Sequence, residues 1–189
     1  HLVYYGMMGA IFLYNLFLAI AVRERAYFAY IAYVLSATLL MASVAGHTTY
    51  LWPEAPVFEQ ALRDWLVAFC AFSAFLFIGS FLTFLHKRPL LRAAWIGFLV
   101  FFGLAQIYRA AGFQLLYIPV ISAMILPAGI FGVVTAVLGS FAREPFARLF
   151  LVAWLILILS ASVLGLSNLG VLPHRPWMNH AVRVGTLVE

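Results

Sequence analysis

The sequence predicts an all-α fold, a polytopic membrane helix bundle with six complete spans, the start of a seventh, and the N-terminus outside. Three observations carry this expectation. Of the 189 residues, 66% are hydrophobic and 9% charged, against roughly 25% charged in soluble domains. The apolar residues gather in runs near the roughly 20 residues that cross a hydrocarbon core as helix. Charges, prolines and histidines collect between those runs. Backbone groups in lipid must be satisfied within one segment or within a closed barrel. Barrel strands would alternate over roughly ten residues, whereas these runs are continuously apolar, so the spans are helices. Mean hydropathy is +1.07.

The first run, Leu2–Val22, contains no charge and ends at Arg23-Glu24-Arg25. The second covers 27–46 and gives way to His47-Thr48-Thr49, then Pro53, Glu54 and Pro56. A third, 65–85, closes at His86-Lys87-Arg88-Pro89, and a shorter fourth, 93–108, stops at Arg109 and Gly112. The fifth, 113–140, ends before Arg143-Glu144-Pro145, and the sixth is 149–169. After Pro173, His174, Arg175 and Pro176, a seventh run begins near Ala181 and reaches Glu189. The chain opens at His1 without an initiator methionine or a basic signal-peptide region. It therefore reads as a section of a longer polypeptide, one domain over 1–189 cut within span seven.

Basic residues set the expected orientation. With the N-terminus outside, inner loops hold Arg23, Arg25, Lys87, Arg88, Arg92, Arg143 and Arg148; outer ones hold Arg63, Arg109, Arg175 and Arg183. The excess lies inside, as the positive-inside rule requires. Tyr4, Tyr5, Tyr27, Tyr50, Trp52, Trp65, Tyr108 and Trp177 fall at the expected water boundaries, where amphipathic rings accumulate. The net charge of +5 comes from cations scattered between apolar runs, which argues against nucleic acid as a partner. A lone cysteine, Cys70, permits no intrachain disulfide.

Residues at the span ends add a resemblance. Tyr5-Gly6 and Leu13-Tyr14-Asn15-Leu16-Phe17 lie in span one, followed by Arg23-Glu24-Arg25 with Tyr27 and Tyr30. Gly46, Leu51-Trp52-Pro53, then Phe77, Ser80, Phe81 and Leu82 continue the pattern. Glu144-Pro145-Phe146-Ala147-Arg148 leads to Ala153-Trp154, and Leu169-Gly170-Val171-Leu172-Pro173 precedes Gly185-Thr186-Leu187-Val188-Glu189. In order and spacing this resembles the seven-helix domain of bacterial receptors with diverse intracellular signalling modules, the 7TMR-DISM family. The resemblance implies a periplasmic sensor domain before span one and an output module after span seven. That module would be a histidine kinase, diguanylate cyclase, phosphodiesterase or phosphatase. It further implies the bacterial inner membrane.

Among individual residues, Asn15 lies near the middle of span one, where an uncompensated amide is costly. It is expected to bond across helices, as packing or as part of a switch. Gln106 and Asn168 lie nearer span ends, where solvation accounts for them. Glu189 would stand about 12 Å along the helix from Ala181, and an intramembrane carboxylate is a functional candidate. Arg183 would snorkel to the outer interface. Pro119 and Pro127 lie in span five, as a hinge or a fixed bend. His47, His174 and His180 share the outer side without metal-ligand spacing. Lys87, in a loop, is poorly placed for a retinal Schiff base.

The expected function is a transmembrane signal-transducing domain that relays a periplasmic stimulus to a cytoplasmic module. This chain itself is expected to be no enzyme and to bind no cofactor or metal. The bilayer, the adjoining sensor and output domains, and a second copy in a homodimer are the expected partners. The alternatives are a transporter or channel, then a metal-dependent intramembrane hydrolase.

Overall fold

The computed structural model describes residues 2–51, 54–113 and 117–142, with single positions 151, 152, 155 and 166. Every regular element among them is helical. The helices are α1 (Leu2–Val22), α2 (Arg25–Val44), α3 (His47–Leu51), α4 (Pro56–Phe81), α5 (Pro89–Ala110) and α6 (Tyr117–Phe141), with a 3-10 turn at Thr83–Lys87. Five of these, all but α3, are long and apolar enough to cross a membrane. The expected spans six and seven fall outside the described residues.

Span boundaries differ from the apolar runs for identifiable reasons. Helix α1 matches its run from end to end. At its close, Arg23 adopts φ 57° and its N–H reaches Ala19 O at 3.0 Å, so a left-handed residue ends the helix. Helix α2 ends similarly at Gly46, whose φ of 78° suits a residue without a Cβ. Helix α4 begins nine residues before its run, at Pro56 rather than Trp65. Proline's fixed φ and missing N–H fit the first helical position, and Glu59 in that first turn complements the helix dipole. Twenty-six residues make α4 about 39 Å long, more than a hydrocarbon core of roughly 30 Å. Its charged first turns can therefore lie at the membrane boundary while the apolar remainder crosses.

At the other end, Leu82 (φ −94°, ψ 88°) interrupts the helix and the chain tightens into the 3-10 turn. Leu82 and Leu85 are fully buried there. Helix α5 likewise exceeds the 93–108 run at both ends, starting on Pro89 and extending through Arg109. The sequence pattern places Arg109 in an outer loop. It instead occupies the last helical turn, buried beside the Asp64 carboxylate.

The chain divides into two compact units, His1–Ser80 with Leu99–Phe113, and Phe81–Phe98 with Gln114–Glu189. In the first, α1 packs on α2, and Tyr30 meets Phe77 with ring centroids 5.1 Å apart. Buried Ser36 and Ser73 join α2 to α4 through hydroxyls 3.1 Å apart. Phe75 and Phe102 join α4 to α5, where Gly103 lets the Phe72 ring come close. In the second unit, the 3-10 turn packs on α6, and Phe98 meets Phe131 at 5.4 Å. Beyond Tyr117, Ile121 and Ser122 in its first two turns, the buried residues of α6 are small, Ala128, Gly129, Gly132, Thr135, Ala136 and Gly139, the kind of surface that lets membrane helices approach closely.

Candidate functional site: a buried polar cluster in the first unit

The densest polar cluster in the described structure is built by α2, α3, α4 and α5 within the first unit. Its position follows from local sequence. Gly46 turns the chain out of α2, which sets Thr48 and Thr49 on the short α3. Helix α4 then carries Glu59, Arg63 and Asp64 within its first three turns. Glu59 and Arg63 are four residues apart and so share a face.

Glu59 is the hub. Its Oε1 accepts from Thr48 Oγ1 and Thr49 Oγ1, both at 3.0 Å, and from Arg63 Nη2 at 3.1 Å. One carboxylate oxygen thus ties α3 to α4. Ser43, fully buried in the last turn of α2, lies 3.5 Å from both Thr48 Oγ1 and Arg63 Nε. Those longer approaches orient the hydroxyl but add little energy. The Arg63 side chain is 44% exposed, so its ion pair with Glu59 contributes at most a few tenths of a kcal/mol.

The next residue makes a different kind of contact. Asp64 Oδ2 accepts from Arg109 Nε at 3.0 Å, and both side chains are almost wholly enclosed, at 7% and 5% exposure. This pair ties α4 to α5 and explains why Arg109 can sit buried inside a helix. One turn earlier on α5, Gln106 Nε2 donates to the Trp65 carbonyl at 3.2 Å. Two carboxylates and two guanidiniums therefore balance to zero within one cluster. It can hold four helices in one arrangement through directional contacts, and it can release them when those contacts break. Among the described residues no three of His, Cys, Asp and Glu gather as a metal site.

The residues singled out from the sequence fall elsewhere. Asn15 donates from Nδ2 to Ile11 O at 2.9 Å, within its own helix rather than across to another as expected. Ser36 and Ser73 make the cross-helix contact instead. Pro119 stands third in α6, in the first turn, where a missing N–H breaks no helical bond. Pro127 lies inside α6, which continues through it. His47 sets its ring against Tyr5, centroids 5.4 Å apart. Glu189, Arg183, Asn168, His174 and His180 lie outside the described residues.

Sequence reading missed Glu59, Asp64 and Arg109 because it stopped each span at the first charge. A usable signal was present: Pro56 at a helix start, an acid three residues on, and Glu59–Arg63 at helical spacing. Nothing in the sequence paired Asp64 with Arg109.

Five helices long and apolar enough to cross a membrane define a multi-pass helical membrane protein. Its family is specific: the family model described as 7TM diverse intracellular signalling (7TMR-DISM) matches residues 1–189. The chain belongs to that family, the transmembrane domain of signalling receptors. Neither the curated proteins nor the solved structures give a match.

Proposed function

We propose that this chain relays a stimulus from outside a bacterial inner membrane to a cytoplasmic signalling module, the N-terminus lying outside. The module is a histidine kinase or an enzyme of cyclic-dinucleotide turnover, and the chain itself performs no catalysis. The observation that carries this reading is the Glu59 hub beside the buried Asp64–Arg109 pair, in a chain of a signalling-receptor family. Directional polar contacts between helices have discrete made and broken states. A stimulus that favours one of them shifts helix packing by selecting between two arrangements. In the proposed orientation the cluster is on the outer side, where the stimulus arrives.

The test is output from the full-length receptor in cells, read with a reporter across a stimulus series. Glu59→Gln keeps an acceptor oxygen but removes the charge that holds three donors. It is expected to shift the dose–response curve or leave output stimulus-independent, at an unchanged membrane level. A wild-type curve at equal membrane level would reject the relay role of the cluster.

A further inference from the structure

We propose that the turn joining α4 to α5 is a binding surface for anionic phospholipid headgroups of the leaflet it faces. Lys87, Arg88 and Arg92 are all exposed there. None of the three takes part in an ion pair or a side-chain hydrogen bond in the described structure. The contrast with Arg63 and Arg109, each beside a carboxylate, is complete. No Asp or Glu occurs in the sequence between Asp64 and Glu144. The described part of the second unit therefore holds three exposed cations and no acid, and the counter-charge must come from outside it.

Geometry favours a phosphate as that counter-charge. The Arg92 N–H bonds to Arg88 O at 2.9 Å, which sets the two arginines one helical turn apart. Like charges at that spacing repel, and an anion held between them reverses the sign. Guanidinium groups bind phosphate oxygens in pairs, with parallel N–H donors. The surroundings favour a lipid over a free anion. Leu90, between the arginines, is 84% exposed, an arrangement suited to acyl chains beside a headgroup. Trp95, a residue type enriched at membrane interfaces, lies less than two turns further along α5, edge-on to His86 with centroids 5.4 Å apart. The apolar body of α5 follows directly.

This proposal rests on the membrane placement of the chain and not on the relay reading, so each can fail alone. The test is native mass spectrometry of the purified protein titrated with phosphatidylglycerol or phosphatidylcholine. Each basic residue near an anionic surface is worth about fivefold in association, so three together are expected to make phosphatidylglycerol preferred by about a hundredfold. The variant Lys87→Gln/Arg88→Gln/Arg92→Gln is expected to lose that preference, and Arg88→Lys/Arg92→Lys to retain most of it. If the triple variant does not insert, Arg88→Gln and Arg92→Gln serve singly, each expected to weaken retention about fivefold. Wild-type preference in the glutamine variants overturns the proposal. So does full displacement of the lipid by millimolar inorganic phosphate, which would mark a site for the free anion.

Discussion

The Asp64–Arg109 pair gives the sharpest test of how this bundle is held. At 3.0 Å the two charges attract by about 5–6 kcal/mol at an effective dielectric near 20. Most of that attraction offsets the desolvation of two ions that keep 7% and 5% exposure. Removing one partner therefore does not subtract the small net value of the pair. It strands a buried charge, at a cost of about 3–5 kcal/mol. Asp64→Asn keeps the shape and leaves the Arg109 guanidinium uncompensated, so it should lose that amount. The double variant Asp64→Leu/Arg109→Met removes both charges, and apolar replacement of a buried pair is typically neutral or stabilising. It should stand within about 1 kcal/mol of wild type, far from the sum of the singles. Reversible unfolding of reconstituted protein in mixed micelles, followed by circular dichroism over a denaturing-detergent series, measures all variants on one scale. Asp64→Asn within about 0.5 kcal/mol of wild type would show the pair to be solvated. A double variant as unstable as the summed singles would refute the stranded-charge argument.

Other expectations use the same assay unless stated. Gly46→Ala should destabilise by about 1 kcal/mol from its left-handed backbone, since a Cβ there meets only Thr49 Oγ1, at 3.9 Å. A loss near zero would show that the turn can relax. A double-mutant cycle on Ser36→Ala and Ser73→Ala should give a coupling of about 0.6 kcal/mol, and up to about 2, for an interhelical hydroxyl contact. Zero coupling would remove that contact from the account. Pro127→Ala restores an N–H to the interior of α6 and should shift the cellular dose–response. Pro119→Ala, in the first turn, should leave it unchanged, and equal effects would argue against a bend at Pro127.

The fold was largely legible because lipid simplifies the code. A segment such as Leu2–Val22, apolar and uncharged, has few alternatives to a spanning helix, and its ends coincide with those of α1. Legibility failed where a helix carries charges past its apolar run. Asp64 adjoins Trp65 in sequence, yet its partner stands 45 positions away, and no local pattern encodes so distant a neutralisation. Asn15 shows the converse. A mid-span amide looks as if it needs a partner helix, but the Ile11 carbonyl one turn back serves it. Serine hides its role for the same reason. Ser36 bonds the Tyr33 carbonyl and reaches Ser73 as well, and only the fold distinguishes those two uses.

Energetics indicate which contacts can discriminate between two packings of such a bundle. Moving a two-state equilibrium from 1:99 to 99:1 takes about 5.5 kcal/mol of differential interaction. Apolar side chains facing outward, such as Leu13, Phe17 and Ile20 on α1 or Val100 and Leu104 on α5, contribute little to that difference. Lipid tails are as apolar as leucine, so exchanging a helix contact for a lipid contact is nearly neutral. Polar contacts behave otherwise, because a buried charge without its partner has no substitute in hydrocarbon. Breaking the Asp64–Arg109 pair alone spans about 3–5 kcal/mol, and loss of a charged hydrogen bond at Glu59 adds about 1.5–3 kcal/mol. Together they cover the range a switch requires, within a few helical turns of one unit. If the bundle does switch, these contacts must differ between its two states. Crosslinks between cysteines placed on α3 and α4, compared with and without stimulus in full-length receptor, would show it. Identical crosslinking in both conditions would move the switch elsewhere in the chain.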